Sequence, residues 1–414
     1  MKSAFNKVDI TPAVPVPLSG FGKVRIANTV HDSLYARVFL FDNGKEEILW
    51  TQLDLVAIDQ VVIDLVLEKT GLKAHQLLLS ATHTHSGPGG TLSTHQGMLH
   101  GMNSVFCDFN PDYCELVASK IAECYKKLKT QLKDSKLRML QGTIKNLGTE
   151  RHDAALPCDE DLLVLELSTE DKKALIVRAA CHPTVLNADN LEITADFPGA
   201  VEPLLPEYEL VAYVNGSCGD MSTRFTRKGQ GFDEQARFGQ LLADTVRELL
   251  NAKTEAADYS MDLKQKHFTA AVRETDPLPV ALEKLNKTKA AVEEAIKAGV
   301  SAQELRVIQS FYEGAQNNLL ASKSLSDMKN IQVPVSALTI NDLTLIFTPC
   351  ELFSTLSSPL KKYNLEFVGY TNGYHLYMAD SLAYDRQFYE ACSSPYAKGA
   401  GEELMNQIKE WVIE

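Results

Sequence analysis

The sequence predicts an α/β protein in which large mixed β-sheet layers are flanked by helices. Strand-type runs of apolar residues recur along most of the chain, and amphipathic helical patterns lie between them. Several of the strand-type runs end directly in polar residues that could carry chemistry. The 414 residues are 45% hydrophobic and 23% charged, which is typical of an ordinary globular protein.

The first elements form a βαβ unit. Two strand-type runs are joined through Asn43-Gly44, the strongest short signal for a hairpin: Ala36–Phe41 and Glu47–Leu55. Apolar residues at helical spacing over 58–66 then predict a helix, and Gly71 stands where a helix C′ glycine belongs. A new apolar run, Leu77–Ala81, follows, so the crossover should be right-handed within one sheet.

The middle of the chain continues the alternation. Asn110-Pro111 combines a cap with a first-turn proline and opens a helix over 110–128. A second amphipathic helix is predicted over 238–249. Further strands are predicted at Leu137–Leu140, Leu162–Leu167, Ala174–Ala180 and Glu209–Val214.

Residues 278–323 form a helical hairpin inserted into the α/β body. Gly299 ends its first helix, and the capping box that begins at Ser301 starts its second. A packing or dimer element and a lid over the site are both open interpretations of this hairpin. The strands Gln332–Ile340 and Leu343–Phe347 follow, and the whole chain, 1–414, is predicted to be one domain.

Net charge, the length of apolar runs and the distribution of cysteines argue against several partners and locations. Lys plus Arg is 41 and Asp plus Glu is 54, giving a net charge of −13, which disfavours nucleic acid. No run of 18 apolar residues occurs, so no transmembrane segment is expected. No secretory leader is visible and the eight cysteines are scattered, so a cytoplasmic location is expected. Assembly into a homo-oligomer is left open.

The most unusual segment is the stretch from Ala81 to Gly90, which reads ATHTHSGPGG. Two histidines at i and i+2 in an extended stretch should point to opposite faces or to successive sites. The glycines allow a backbone to approach a ligand closely. The plain alternative is a polar loop with no chemical role.

His182, Glu351 and Tyr377 each follow a strand-type run. In open α/β sheets, sites gather at the carboxyl ends of strands. Two histidines and a carboxylate with an open position are what a catalytic zinc requires. Unrelated polar residues at strand ends are the alternative.

These segments carry a family resemblance. The chain resembles the catalytic region of the neutral/alkaline non-lysosomal ceramidases, which are zinc-dependent amidases that cleave the N-acyl bond of the sphingolipid ceramide. Longer members of that family continue into a C-terminal β-sandwich. The matching segments are Asp9–Pro12, Leu18–Gly22, Ser80–Gly90, Cys181–Thr184, Ala195–Gly199, Asn215–Ser222 and Tyr377–Glu390.

The resemblance implies one zinc ion per chain, with His83, His182, Glu351 and Tyr377 as ligands. It implies that His85 contacts the reacting amide, and that Tyr389, twelve residues after Tyr377, is a second essential tyrosine. Arg151 takes the place of an active-site arginine. Ser222 matches a serine that acts as a substrate contact or a nucleophile, and contact is favoured. Thr223-Arg224 stands where the family has Pro-Asn.

The predicted function is therefore zinc-dependent hydrolysis of an N-acyl amide by attack of metal-bound water. One alternative keeps the zinc but takes a smaller polar acyl amide or ester instead of ceramide. Another is a non-catalytic binding protein on the same scaffold.

Overall fold

The structure is a computed structural model that describes residues 1–413, with the side chains of residues 302 and 303 left out. The domain prediction, 1–414, includes Glu414, which lies outside the described residues, and it stays a prediction. None of the helices in the described part of the chain is long and apolar enough to cross a membrane. All eight cysteines are free thiols.

Strands and helices alternate along the chain. The strands are β1 (Lys2–Asp9), β2 (Val16–Leu18), β3 (Arg25–Ala27), β4 (Thr29–Val30), β5 (Tyr35–Asp42), β6 (Glu47–Leu53), β7 (Leu77–Ala81), β8 (Lys133–Asp134), β9 (Lys136–Thr143), β10 (Thr149–Glu150), β11 (Asp161–Ser168), β12 (Lys173–Ala179), β13 (Glu192–Ile193), β14 (Leu210–Asn215), β15 (Met221–Ser222), β16 (Met261–Ala271), β17 (Asn330–Ile340), β18 (Leu343–Phe347), β19 (Glu351–Leu352), β20 (Leu365–Val368) and β21 (Tyr377–Met378). The helices are α1 (Gln60–Thr70), α2 (Asn103–Phe106), α3 (Pro111–Lys129), α4 (Phe232–Leu250), α5 (Leu278–Ala298), α6 (Ala302–Ser324), α7 (Ser354–Ser357), α8 (Ser381–Asp385), α9 (Tyr389–Ser393) and α10 (Ala400–Ile413).

Three mixed sheets contain the long strands. Their strand orders are β7-β6-β5-β1-β8, β14-β12-β11-β9 and β16-β17-β18-β20. Each sheet contains one parallel pair, namely β6 with β7, β12 with β14, and β18 with β20. The other pairs within these sheets are antiparallel.

One apolar core joins the three sheets. Trp50 of β6 meets the ring of Phe347 of β18 edge-on, with centroids 5.1 Å apart. Leu165 of the second sheet is buried in the same cluster. Since each sheet buries one face in this core, its other face needs helices. Helices α1 and α3 cover the first sheet, α4 the second, and α10 the third.

The α/β prediction is confirmed, and many elements lie where the pattern placed them. Strands β7 and β18 have the predicted bounds, and the helix predicted after Asn110 is α3, whose first turn the Asn110 side chain caps. Gly71 ends α1 with a φ of 73°. Two long strands were not predicted, β1 and β16.

The inserted hairpin is α5 and α6, which lie between β16 and β17 in the chain. Those two strands pair along their whole length, so the insertion leaves and re-enters the third sheet at adjacent residues, Ala271 and Asn330. Helix α6 packs on α9, where Asn317 Nδ2 donates to Ser393 Oγ at 2.7 Å. The hairpin therefore lies against the segment that begins with Tyr389.

Candidate metal centre

Each of the three sheets sends one polar side chain to a common point. His83 follows β7, His182 follows β12, and Glu351 follows β18. All three strands belong to the parallel pairs, whose carboxyl ends are directed alike within each pair. The three side chains lie together: Glu351 Oε2 is 2.8 Å from His182 Nε2 and 3.4 Å from His83 Nε2.

His83 is fixed by the turn that follows β7. Its φ is +69°, an unusual value for a residue with a Cβ, and the peptide N–H donates to Leu55 O. The ring stacks on Tyr370 with centroids 4.2 Å apart, and Nδ1 lies 2.8 Å from Val56 O. A carbonyl only accepts, so Nδ1 carries a proton and Nε2 is the ring nitrogen left to bind a metal.

His182 is held in the same way. Its Nδ1 lies 2.8 Å from Cys218 O and 2.9 Å from Met221 O, so this nitrogen also carries the proton. The loop that supplies both carbonyls is tied to the Glu351 segment by Asp220, whose carboxylate accepts from Ser354 N and Ser354 Oγ. A backbone carbonyl on the far nitrogen is how proteins orient histidines that bind metals.

Glu351 is almost completely buried. Burial opposes its ionisation, but His83 and His182 outweigh that effect and hold the pKa of Glu351 well below its ordinary value. Its other oxygen, Oε1, accepts a short hydrogen bond from the hydroxyl of Tyr374. The carboxylate is therefore ionised and oriented at both oxygens.

This arrangement fits a divalent cation. With both Nδ1 atoms engaged by backbone carbonyls, the two Nε2 atoms and the Glu351 carboxylate face each other inside the protein. Burial lowers the pKa of His182, which favours the neutral ring. Converging lone pairs in a buried site repel unless a positive charge lies among them. Imidazole and carboxylate donors together suit zinc.

His85 lies against the same cluster. Its Nε2 is 3.1 Å from His83 Nε2, and His83, His85 and His182 form a group that could hold a metal ion. The expectation that rings at i and i+2 diverge is wrong, because alternate residues of an extended stretch lie on the same face, which brings the His85 ring to the side of His83. Burial, together with the neighbouring rings, lowers the pKa of His85 well below its ordinary value, so His85 is neutral.

Tyr377 comes beside Glu351 through a short parallel pairing. Strands β19 and β21 place Glu351 and Tyr377 directly opposite each other, so both side chains share a face. The Tyr377 hydroxyl accepts from Arg151 Nη1 at 3.3 Å. Burial and Glu351 raise the pKa of Tyr377, and the charge of Arg151 opposes that rise.

Arg151 is locked in place by Glu390. The two side chains form an ion pair of 2.9 Å, and Glu390 also contacts His152 Nε2 at 2.8 Å. The Arg151 guanidinium lies 5.9 Å from the ring centroid of Tyr389, whose ring is itself 5.9 Å from that of Tyr377. Arg151, Tyr377 and Tyr389 thus form one contiguous group beside the metal cluster.

Ser222 lies next to a residue that supports the site, and its own hydrogen bond is to a neighbouring peptide group. It ends β15, one residue after the carbonyl of Met221 that His182 Nδ1 contacts. The Ser222 hydroxyl accepts from the peptide N–H of Arg224 at 3.3 Å. Its predicted role as a substrate contact stays a prediction, as do the catalytic roles of His85, Arg151 and Tyr389.

Three residues of the site were missed by sequence reasoning. Tyr374 orients Glu351, while Glu390 and His152 hold Arg151. Tyr374 lies within three residues of Tyr377, but nothing in its spacing distinguishes it from an ordinary buried tyrosine. Glu390 follows Tyr389 directly and stood inside the matching segment, so its position was a usable signal.

Comparisons with known proteins identify sequence relatives of this chain. A profile described as "Neutral/alkaline non-lysosomal ceramidase, N-terminal" matches residues 4–210, half of the chain. The chain is 23% identical over 260 residues to the neutral ceramidase of Drosophila melanogaster and 24% identical to that of Drosophila pseudoobscura pseudoobscura. The match covers 53% of this chain and 36% of each relative, so the chain spans about a third of their length.

The fold resembles solved structures. The crystal structure of the neutral ceramidase from Pseudomonas aeruginosa superposes with a TM-score of 0.74 at 18% identity, covering 98% of this chain and 73% of that one. A structure described as ceramidase complexed with C2 gives the same values. This likeness confirms the predicted ceramidase-like fold.

Proposed function

The chain belongs to the neutral/alkaline non-lysosomal ceramidase family, and from this premise we propose that it is a zinc-dependent amidohydrolase that cleaves an N-acyl amide bond. One observation carries the proposal. The Nε2 atoms of His83 and His182 and the ionised Glu351 carboxylate converge, while both Nδ1 atoms are engaged by backbone carbonyls.

The residues that would hold the ion are His83, His182 and Glu351, with Tyr377 as the fourth ligand. Bound zinc would polarise the amide carbonyl and bring the pKa of a water close to neutrality. Tyr377 is a weaker candidate for permanent binding, because burial raises its pKa and favours the neutral phenol. Arg151 supplies the positive charge that favours its phenolate.

His85 is a hydrogen-bond donor directed at the cluster. We place the proton of the neutral His85 ring on Nε2, the nitrogen that lies 3.1 Å from His83 Nε2 and is directed at the cluster. A neutral donor held at this point suits the oxygen that becomes negative when an amide carbonyl is attacked. It also suits delivery of a proton to the departing nitrogen.

Arg151 and Tyr389 both lie beside Tyr377. Burial, with Glu313 adding to it, raises the pKa of Tyr389 to about 12, so its hydroxyl stays protonated and able to donate. Arg151 is ionised at every working pH because the Glu390 carboxylate faces it. Both groups therefore offer donors to developing negative charge.

Metal analysis together with hydrolysis of a fluorogenic N-acyl amide tests the proposal. We expect one zinc per purified chain, loss of hydrolysis on chelation, and recovery when zinc is restored. His182→Ala should lose both metal and activity, whereas His267→Ala, at an exposed position on β16, should lose neither. Well under one zinc per chain, with hydrolysis unaffected by the chelator, would contradict the proposal.

A further inference from the structure

The segment after Ser222 carries two arginines that amide hydrolysis itself does not require. Arg224 Nη1 donates to Arg151 O at 2.8 Å, and Arg227 Nη1 donates to Thr184 O at 2.8 Å. Arg151 holds the Tyr377 hydroxyl, and Thr184 lies two residues after His182. Both arginines are therefore anchored to the backbone of segments that build the metal cluster.

These arginines are positively charged groups without an acidic partner. Across residues 1–413 as the structure describes them, no carboxylate lies within 4.0 Å of a nitrogen of Arg224 or Arg227, whereas Arg151 pairs with Glu390 and Arg306 pairs with Glu313. Each of the two donates through one terminal nitrogen only, so other N–H groups of the guanidinium are free for a ligand.

The surroundings raise the cost of leaving these charges unpaired. Both side chains are half-buried. Burial first, and then the charges of Arg151 and Arg306, lower the pKa of Arg224 to about 10. Burial and Arg306 also lower the pKa of Arg227, against the opposing charge of Asp196. An anion that entered this group would relieve the repulsion.

Arginine is suited to one class of ligand in particular. Its planar fork matches the two oxygens of a carboxylate, and such charge-assisted bonds are stronger than neutral ones. Ceramide carries no charge, so its recognition makes no use of an unpaired guanidinium. A substrate that carries a carboxylate would use it.

We propose that Arg224, assisted by Arg227, binds a carboxylate on the substrate, so that the substrates of this chain are anionic N-acyl amides such as N-acyl amino acids. This inference rests on the proposed function, because it names the substrate class of the same site. The carboxylate can lie on the amine part or at the far end of the acyl part, and the probes below separate these two sources.

The test compares probes that share a twelve-carbon acyl chain on the zinc-loaded full chain. N-dodecanoylglycine is anionic on its amine part, N-dodecanoylethanolamine is neutral, and the ethanolamide of dodecanedioic acid is anionic at the far end of its acyl part. We expect kcat/KM to be at least tenfold higher for one anionic probe than for the neutral one. High salt should reduce that ratio.

Variants assign the preference to the guanidinium. Arg224→Gln should lower the anionic-to-neutral ratio about tenfold, mainly through KM, the size expected for one charge-assisted hydrogen bond. Arg224→Lys should keep part of the ratio because it keeps the charge. Arg247→Gln, on α4 where Arg247 pairs with Asp244, is the matched control and should leave the ratio unchanged.

Two results would overturn the inference while leaving the proposed function intact. One is equal or better hydrolysis of the neutral probe, and the other is an anionic preference that survives Arg224→Gln. If no probe is hydrolysed, the proposed function fails. Calorimetric Kd values for N-dodecanoylglycine on the parent chain and on Arg224→Gln still decide the inference, since a tenfold weakening supports it and equal affinities refute it.

Discussion

Replacing Gly20 by alanine should displace His85 without touching the metal ligands. Gly20 has a φ of +104°, and a Cβ built on it would lie 2.5 Å from His85 Cγ and 2.9 Å from His85 Cβ. Rotation of the His85 side chain about its Cα–Cβ bond relieves the first contact but not the second. The His85 backbone cannot retreat easily, because the buried Arg25 donates to its carbonyl at 2.5 Å.

The magnitude follows from two costs. Overpacking of this kind costs about 1–3 kcal/mol, and a positive φ on a residue with a Cβ adds about 1–2 kcal/mol. Gly20→Ala should therefore reduce the free energy of unfolding by roughly 2–5 kcal/mol by these two terms. Since a misplaced donor to a developing oxyanion costs about 10²–10³-fold, kcat on an N-acyl amide should fall by that order.

The assay measures unfolding by urea, zinc content and kcat for the same preparations. Gly22→Ala is the matched control, because Gly22 has no neighbour within 4 Å of an added Cβ and no positive φ. We expect Gly22→Ala to behave like the parent and Gly20→Ala to keep its zinc. Parent-like kcat in Gly20→Ala would refute the placement or the role of His85.

Three further predictions concern the supports of the site. Tyr374→Phe removes the hydrogen bond to the carboxylate ligand and should weaken zinc binding about 10–100-fold in a chelator competition. Burial raises the pKa of Glu390, but Arg151 outweighs it and the pKa falls to about 2. Relative to a pKa of about 4.3 in the unfolded chain, the lowered pKa of Glu390 contributes about 3 kcal/mol to the free energy of unfolding above pH 4.3. This contribution is lost as pH falls toward 2. In the zinc-free protein, Glu390→Gln should therefore make the free energy of unfolding in urea fall less steeply as the pH drops below about 4.3. Gly314→Leu should push α6 from α9, where an added Cβ already lies 3.3 Å from a cysteine, and should lower both Tm and kcat.

Each of these has a contrary outcome. Unchanged zinc affinity in Tyr374→Phe would mean that the tyrosine does not orient Glu351. An acid limb as steep in Glu390→Gln as in the parent would assign acid unfolding to other carboxylates. Parent-like kcat in Gly314→Leu would separate the α6 contact from the position of Tyr389.

The strands and helices with strong periodicity could be predicted from the sequence. Leu77–Ala81 and Leu343–Phe347 are short, mostly apolar runs bounded by polar residues, and both were placed correctly. Strand β16 was missed because the alternation of buried apolar and exposed polar residues breaks between Leu263 and Phe268, where four polar residues follow one another. Strand β1 was missed because its buried residues, Ser3, Ala4 and Phe5, are consecutive, so the strand shows no alternation.

The candidate site could be predicted only in part. Strand ends pointed to His182 and Glu351, but the convergence of segments far apart in the sequence depends on how three sheets pack, which no local spacing encodes. The family resemblance supplied the ligand set. The turn at His83 was not foreseen, because a positive φ on a histidine is set by its surroundings rather than by its own propensity. Tyr374 was missed since its role lies in a tertiary contact alone.

The entry and exit of the hairpin have a consequence for engineering the chain. Ala271 and Asn330 face each other at the end of a continuous ladder of paired residues. Residues 272–329 can therefore be exchanged for a short turn, since a shorter loop closes at a lower entropic cost. All the metal-ligand candidates lie outside this segment, while Arg306 lies within it. The hairpin is thus an exchangeable cassette, and grafting different cassettes onto the same ladder would vary what surrounds the site while the ligand set stays constant.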